Sequence, residues 1–192
     1  MSYRVVEEFE AALGEFTGAP SVVTTCSGSM ALQIAMLMWP AQYVRVPKKT
    51  YCSVPNAVLA AGHTIMWSDM DWQGSYLLSP LPVIDSARSF KRGMFKPGYL
   101  ICVSFQSTKP LGLEQGGAIL HDREGEVDDW MRRLRFDGRL NAHEKIPRCR
   151  GLHAYMSPSV AALGLQRLAC LPDNPPDLPH DFADLSTLDF WK

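Results

Sequence analysis

Apolar residues near the N-terminus recur at the spacing of one face of a helix, with glutamates between them. They are Val5, Phe9, Leu13 and Phe16. This pattern predicts an amphipathic helix that ends at Gly18, since glycine commonly terminates helices. The run 21–25 then predicts a short strand, and a second apolar helix follows the small residues 26–29 and continues to Met38.

The later segments keep alternating between strand-like and helix-like patterns. Apolar runs predict further strands, at 44–46, 64–67, 82–85, 99–103 and 118–120. Helical spacing or helix-start signals predict further helices, at 53–61, 123–136 and 157–170. Residues 72–81 have no regular pattern and are predicted to form a loop. From Leu171 onward the chain is rich in proline and aspartate, which favours an irregular tail.

Composition narrows the class of protein. With 192 residues the chain has the size of one domain with a substantial core. A net charge of −1 gives no global attraction to nucleic acid or membrane, and no apolar run approaches the roughly 20 residues of a membrane span. Glutamates near the N-terminus argue against a signal peptide, and five scattered cysteines favour reduced thiols over zinc. We therefore expect a cytoplasmic protein with no metal site and no membrane contact.

The first candidate for chemistry is Lys109, which lies between two predicted strands among hydroxyl and glycine residues. Burial lowers the pKa of an ammonium group, so a lysine in such a place can be a neutral nucleophile that forms a Schiff base. The hydroxyls of Ser104, Ser107 and Thr108 are suited to an anion. The alternative is an ordinary solvated lysine in a surface turn.

The second candidate is the turn Ser27-Gly28-Ser29, which joins a predicted strand to a predicted helix. Free backbone N–H groups and the helix dipole make such a turn suitable for an anion. The alternative is that Ser29 only caps the helix. The residues of the turn alone leave both interpretations open.

The segment Ser104-Phe105-Gln106-Ser107-Thr108-Lys109, with Glu114-Gln115-Gly116-Gly117 after it, resembles the lysine segment of the DegT/StrS family of sugar aminotransferases. The family pattern is Ser-Phe-His-x-Thr-Lys, then a short loop ending in Glu-Gly-Gly. Gln106 replaces the histidine here and Gln115 the glutamate. These are fold-type I enzymes that use pyridoxal 5'-phosphate (PLP). The resemblance implies PLP as cofactor, with Lys109 as its Schiff-base lysine and as the acid and base at the substrate's alpha carbon.

Other segments resemble the family in the same order along the chain. Ser27-Gly28-Ser29-Met30-Ala31-Leu32 is similar to the family's phosphate-binding turn. The resemblance implies that this turn, together with Ser104, holds the PLP phosphate. Tyr51 occupies the place of the aromatic residue that stacks on the PLP ring. The alternative for Tyr51 is a role in core packing.

The segment from Pro82 to Phe90 resembles the family's Val-Ile-Glu-Asp-Ala-Ala-Gln-Ala. Asp85 would then pair with the pyridine nitrogen of PLP and keep it protonated, whereas an unmatched strand-end aspartate is more often a cap or a surface group. Arg88 departs from the family's glutamine. Its guanidinium is suited to the phenolate oxygen of PLP, or to a carboxylate or phosphate of the substrate.

Residues Gly151 to Ser157 stand where the family has Gly-Tyr-Asn-Tyr-Arg-Met-Ser. The asparagine of that pattern reaches across a homodimer interface to the partner's PLP phosphate, and His153 would have to replace it. The resemblance therefore implies a homodimer with the active site at the interface. The alternative is that His153 is a structural histidine.

For the fold, the resemblance implies an α/β domain with a mostly parallel sheet flanked by helices, a trimmed form of the fold-type I large domain. We assign this PLP-binding domain to residues 1–170 and the tail to residues 171–192. Only about ten residues separate Asp71 from Pro82, so one strand–helix crossover is expected to be missing. The family's C-terminal small domain is also expected to be absent, which would leave the site open and shallow. The alternative is that a partner chain, or the acidic tail from Asp173 to Asp189, covers the site.

The function implied is transamination at an amino-bearing carbon. An open site favours a bulky substrate, sugar-nucleotide-like, phosphate-bearing or carried on nucleic acid, which would pair with basic residues between 132 and 150. The alternative for those residues is a solvated helix face. Two other functions stay open, namely a PLP-dependent decarboxylase or other lyase that acts on an amino acid moiety, and a non-catalytic PLP-fold binding protein.

Overall fold

A computed structural model describes residues 3–191 of the chain. The helices of this part are α1 (Arg4–Thr17), α2 (Gly28–Met36), α3 (Ser53–Ala60), α4 (Glu126–Arg135) and α5 (Pro158–Ala169). The strands are β1 (Ser21–Thr25), β2 (Tyr43–Pro47), β3 (Thr64–Ser68), β4 (Tyr76–Leu77), β5 (Val83–Asp85), β6 (Leu100–Ser104) and β7 (Gly117–His121). Short 3-10 helices follow in the tail, at Leu185–Thr187 and Asp189–Trp191. Within the described residues no helix is both long and apolar enough to cross a membrane.

The predicted α/β architecture is confirmed, but the sheet is mixed rather than mostly parallel. The main sheet has the strand order β1-β7-β6-β5-β4, and a separate two-stranded sheet pairs β2 with β3 in parallel. In the main sheet only β5 and β6 are parallel, and the other neighbours are antiparallel. Residues 105–116 lead from β6 into β7 without a crossover helix, so β7 returns in the opposite direction.

The segment 72–81, predicted to be a loop, contains the short strand β4. It pairs antiparallel with β5, placing Tyr76 opposite Asp85 and Leu77 opposite Ile84. A strand of two residues is too short to produce an alternating pattern in the sequence, which explains why it was missed. Beyond β4, the N–H of Arg45 in β2 donates to the carbonyl of Ser79 at 2.7 Å. This hydrogen bond therefore links the second sheet to the turn that follows β4.

Helices cover both faces of the main sheet, and each face has its own apolar core. Helices α2, α3 and α4 contribute to one core, and α1 and α5 contribute to the other. Helix α1 follows the predicted pattern and ends at Gly18, which adopts a left-handed conformation with φ of 78°. A Cβ atom on Gly164 would lie 2.5 Å from the ring of Phe9, so the missing side chain lets α5 pack closely against α1.

The basic residues of α4 are not on a solvated face, nor are they free for a phosphate, so both interpretations of them were wrong for this helix. Arg135 is 3% exposed and pairs with Glu10 of α1. Arg132 also pairs with Glu10, at 2.6 Å, and Arg133 pairs with Glu144 at 2.6 Å. A buried carboxylate is costly without cationic partners, and this requirement draws the arginines inward.

The tail is largely irregular but packs against the domain. Leu185 and Trp191 are both 8% exposed. The indole N–H of Trp191 donates to Oδ1 of Asn56 at 2.8 Å, and the N–H of Leu185 donates to the carbonyl of Lys48 at 2.8 Å. The division into residues 1–170 and a tail stays a prediction, but the tail covers part of the molecule rather than extending from it.

Candidate active site

A cavity of about 380 Å³ opens where α2 begins and where β5 and β6 end. It collects side chains from distant parts of the sequence around one space. The predicted site residues that line it are Ser27, Gly28, Ser29, Tyr51, Asp85, Arg88, Ser104 and Lys109. Its volume is typical of a small-molecule site.

The N-terminus of α2 forms one end of the cavity. Ser27 is the N-cap, and its hydroxyl accepts a hydrogen bond from the N–H of Met30 at 3.2 Å. Ser29 is therefore not the cap, and its hydroxyl donates to Oγ of Ser53 at 2.7 Å. The first N–H groups of a helix have no intrahelical partner, so the N-terminus of α2 is suited to an anion here.

Close backbone packing holds this turn against the strand ends. A Cβ atom on Gly28 would lie 2.8 Å from Cβ of Ser104 and 3.2 Å from its hydroxyl oxygen. A Cβ atom on Gly117 would lie 2.5 Å from the backbone nitrogen of Gly28. Both positions therefore require glycine. As a result, the hydroxyl of Ser104 lies beside the first turn of α2.

Lys109 follows β6 in a turn that Gln106 organises. The side-chain oxygen of Gln106 accepts hydrogen bonds from the N–H of Thr108 at 3.1 Å and from its hydroxyl at 2.5 Å. Burial and the nearby positive charge of Arg88 lower the pKa of Lys109, while the negative charge of Asp85 opposes this shift. The amine of Lys109 is therefore easier to deprotonate than that of an ordinary lysine.

Asp85 ends β5 with its carboxylate 5% exposed. Its Oδ2 accepts a hydrogen bond from the hydroxyl of Tyr76 at 2.7 Å, and its Oδ1 accepts one from the N–H of Ala87 at 2.9 Å. Burial raises the pKa of Asp85, although both hydrogen bonds and the positive charge of Lys109 oppose the rise. The two hydrogen bonds thus fix the orientation of the carboxylate. A cation that binds next to it would stabilise its negative charge.

The orientation of Asp85 depends on a chain of hydroxyl groups. The hydroxyl of Tyr76 donates a hydrogen bond to Asp85. It therefore accepts a hydrogen bond from the hydroxyl of Thr50, which lies 2.6 Å away. Burial, followed by the negative charge of Asp85, raises the pKa of Tyr76 well above its usual value. Tyr76 therefore stays protonated and acts as a fixed donor to the carboxylate.

Aromatic side chains form part of the cavity wall. Tyr51 and Trp72 line the cavity from the domain, and Phe182 lines it from the tail. The rings of Tyr51 and Phe182 are tilted at a centroid distance of 6.0 Å. Tyr51 is 55% exposed, which fits a ring facing a ligand better than one packed in a core. Because the tail contributes to the wall, the site is not open and shallow as expected.

Arg88 lines the cavity but is bound to the tail. Its Nε donates to the carbonyl of Leu178 at 3.2 Å, and an Nη donates to the carbonyl of Pro179. Its guanidinium also lies 5.3 Å from the ring centre of Phe182. The guanidinium of Arg88, which was predicted to pair with PLP or with a substrate anion, is therefore bound to the tail.

His153 is the one predicted site residue that does not line the cavity. Its side chain is 72% exposed, and its Nδ1 lies 3.0 Å from a carboxylate oxygen of Asp137. Its ring also meets that of Tyr155 edge-on at 4.8 Å. Nothing within the single chain brings His153 to the cavity, so its predicted role across an interface stays a prediction.

Several lining or supporting residues were not singled out as site residues by the sequence. They are Thr50, Ser53, Trp72, Tyr76, Gln106 and Phe182. Gln106 was noticed only as a departure from the family pattern. Tyr76 and Trp72 lie in the segment predicted to be a loop, and Phe182 lies in the tail. A cluster of aromatic residues at 72 and 76 was the available signal, since large rings seldom occupy a free loop.

Several solved structures of aminotransferases share the fold of this chain. An aminotransferase of the same family from Brucella abortus is 20% identical, with a TM-score of 0.68 over 86% of this chain and 58% of that chain. NtdA from Bacillus subtilis with bound cofactor PMP is 21% identical, with a TM-score of 0.68 over 85% of this chain and 47% of that one. A sugar aminotransferase from Micromonospora echinospora is 19% identical, with a TM-score of 0.71 over 86% and 60%. The chain thus spans about half to three fifths of these proteins, and the likeness concerns the fold.

The family itself is identified by sequence. The model of the DegT/DnrJ/EryC1/StrS aminotransferase family matches residues 1–84 and 92–175, so the chain belongs to this family. A comparison with curated proteins gave no match. The matched parts include Ser27 to Ser29, Tyr51, Ser104, Lys109 and His153, whereas Asp85 and Arg88 lie in the unmatched segment between them.

Proposed function

We propose that this protein is a PLP-dependent aminotransferase acting at an amino-bearing carbon of a bulky, sugar-nucleotide-like or phosphate-bearing substrate. The observation that carries the proposal is the pairing of Lys109 and Asp85 on one cavity. The pKa of the lysine is lowered and that of the aspartate is raised, so the charged form of each group is less favoured than in an ordinary lysine or aspartate. Such paired shifts in a cavity are typical of reactive sites.

The residues present fit PLP from end to end. The N–H groups of Gly28 and Ser29, with the hydroxyls of Ser27 and Ser104, would hold its phosphate at the N-terminus of α2. Asp85 would hold the protonated ring nitrogen, because a buried carboxylate short of cations gains most from one. Tyr51 would pack against the ring, and Lys109 would bind the aldehyde carbon through its Nζ. When bound, PLP supplies an electron sink for the carbon that carries the amino group.

Side chains of the protein would carry out the proton transfer, orient Asp85 and exclude water. Lys109 would take a proton from that carbon and return it to the neighbouring position, since a lowered pKa makes the neutral, basic form of its amine easier to reach. Tyr76 would keep the carboxylate of Asp85 in place. Tyr51, Trp72 and Phe182 would exclude water from one side of the reacting carbon.

Covalent trapping tests this function directly. Protein incubated with PLP and reduced with borohydride should carry a phosphopyridoxyl mass on the peptide that contains Lys109. Lys109→Ala should carry none, whereas the exposed control Lys96→Ala should label like the wild type. A mass-detected screen of amino donors and acceptors would then separate transamination from decarboxylation. Wild-type protein that takes up no PLP would refute the proposal and favour a non-catalytic binding protein.

We also propose that the protein works as a homodimer in which His153 contributes to the partner's site. Its exposure, 72%, and its place in a matched segment support this role. Sedimentation should give twice the mass of the chain, and His153→Ala should weaken PLP binding. A control, His143→Ala, changes another exposed histidine, ten residues before His153, and should leave binding intact. A fully active monomer would contradict the proposal.

A further inference from the structure

Residues 173–185 of the tail, called the strap from here on, are fixed to the domain at their first end. The N–H and the Nε of Arg92 donate to the backbone carbonyl and the carboxylate of Asp173, at 2.7 and 2.6 Å. Lys91 pairs with Asp177 at 2.9 Å. The N–H of Leu178 donates to the carbonyl of Arg88 at 2.9 Å, and the Arg88 side chain donates back to the strap. This end is therefore held by both backbone and charged groups.

The strap is also fixed at its far end. There the N–H of Leu185 donates to the carbonyl of Lys48, and an isolated β-bridge joins Lys49 to Asp184. The side chain of Leu185 is buried. A segment that is attached on both sides of a cavity has little freedom to swing away from it.

Between these attachments the strap crosses the cavity beside an aromatic stack. The rings of Trp72 and His180 are stacked at 4.0 Å, and His180 and Phe182 are stacked at 5.2 Å. The Nε2 of His180 also lies 3.1 Å from the carbonyl of Trp72. Gly74 lies nearby with φ of 69°, a conformation that favours glycine, and a Cβ atom there would lie 2.6 Å from the carboxyl carbon of Asp177. The stack fixes the ring of Phe182 in the cavity wall.

Most of the strap, and part of the segment that holds it, lie outside the residues that the family model matches. The family match stops at residue 175 and leaves out residues 85–91. Arg88 and Lys91, in the unmatched segment, bind Asp177, Leu178 and Pro179, in the unmatched tail. Two unmatched segments that bind each other across the site form one feature of this chain.

We propose that the strap is a permanent wall of the active site, that Phe182 is a specificity-determining residue and that Arg88 is a positioning residue that holds the strap. With Tyr51 and Trp72, Phe182 presents an apolar surface to whatever enters. The site therefore admits a narrow group with an apolar face next to the amino-bearing carbon, and the bulk and charge of a larger substrate stay outside the strap. The proposed role of Phe182 in substrate selection rests on the proposed function. The proposal that the strap is a wall of the cavity does not depend on that function.

The wall can be tested without cofactor, because Cys26 lines the cavity. Purified protein is alkylated with iodoacetamide or with bulky N-pyrenylmaleimide, and the rate at each cysteine is followed by peptide mass spectrometry. In the wild type, Cys26 should react with the small reagent and be protected from the bulky one. Phe182→Ala should speed bulky labelling of Cys26 about tenfold or more, the effect of lowering one steric barrier. The rate at Cys149, away from the cavity, serves as the internal reference.

Phe190→Ala is the matched control, since Phe190 is a tail phenylalanine that is 71% exposed and does not line the cavity. It should leave both rates unchanged. Arg88→Gln should speed bulky labelling too, and should speed hydrogen exchange at the N–H of Leu178. Equal effects of Phe182→Ala and Phe190→Ala, equal wild-type reaction of Cys26 with both reagents, or a Cys26 that stays protected in every variant would overturn the proposal.

Substrate selection is measured separately on PLP-loaded protein. Phe182→Ala should lower KM for amino donors branched next to the amino carbon by a larger factor than it changes KM for unbranched donors. An unchanged donor profile beside a positive labelling result would refute the specificity role alone. Failure to bind PLP would refute the proposed function, and the alkylation result would still decide whether the wall exists.

Discussion

The carboxylates of Glu10 and Asp85 are almost equally buried, at 6% and 5% exposed, but their pKa values are shifted in opposite directions. Glu10 lies beside the edge strand β1, where it accepts hydrogen bonds from the N–H and hydroxyl of Thr24 at 2.9 and 2.7 Å. It also pairs with Arg135 and Arg132. Burial alone would raise its pKa, but the arginines and hydrogen bonds outweigh burial and lower it.

Asp85 has neutral donors and a more distant lysine in place of paired arginines. Burial therefore prevails, and its pKa rises. The comparison teaches that burial alone does not separate a structural carboxylate from a functional one. A buried carboxylate that is paired with arginines stabilises the fold. A buried carboxylate without such a cationic partner can instead be stabilised by a positively charged group of a ligand.

The most direct test of the structural role of Glu10 is to remove its charge. We expect Glu10→Gln to lower the free energy of unfolding by about 3–5 kcal/mol, because it leaves the buried Arg135 without its partner. Urea unfolding at pH 7 measures this change. Glu15→Gln, at an exposed position of the same helix, should change stability by less than about 0.5 kcal/mol.

The pH dependence provides an independent check of the same variant. Because the folded pKa of Glu10 is lowered, its stabilisation is present above the unfolded pKa of about 4.3 and is lost as the pH falls through the lower folded value. The difference in stability between the wild type and Glu10→Gln should therefore shrink below pH 4. A difference that stays constant down to pH 2 would contradict the assignment of this charge as structural.

The parts of the site that depend on local sequence could be predicted. The strand, small-residue turn and helix around Ser27 to Ser29 are contiguous, and the helix forms where its apolar pattern begins. The local pattern places Lys109 after β6 and Asp85 at the end of β5. Their proposed roles came from the resemblance to the family, because the pattern alone also allowed a surface lysine and a strand-end cap.

The parts that depend on contacts between distant segments could not be predicted. Phe182 reaches the cavity because Arg88 and Lys91, about ninety residues earlier, hold the strap. Arg135 looks like an exposed helix residue until Glu10 is known to face it across the fold. The direction of β7 depends on the loop 105–116, which has no directional signal in its sequence. In each case a partner far along the chain decides the outcome.

The second test replaces the functional carboxylate, and its effect should fall on chemistry instead of stability. We expect Asp85→Asn to lower kcat about a hundredfold, or about 2.7 kcal/mol in transition-state free energy, because a neutral amide no longer stabilises a charged ring nitrogen. Because the folded pKa of Asp85 is raised, its stabilisation is present below the unfolded pKa of about 3.9 and is lost as the pH rises through the folded value. At pH 7 the variant should therefore match the wild type in unfolding free energy to within about 1 kcal/mol.

Steady-state turnover and urea unfolding, measured on the same preparations, give the two numbers to compare. Asp71→Asn is the matched control, since Asp71 is an exposed aspartate outside the cavity and its replacement should change neither quantity. The two variants should then form a crossed pair, with Glu10→Gln unstable and Asp85→Asn stable but slow. If Asp85→Asn loses as much stability as Glu10→Gln and keeps its turnover, both carboxylates are structural. The direction of a buried carboxylate's pKa shift would then say nothing about its role in this protein.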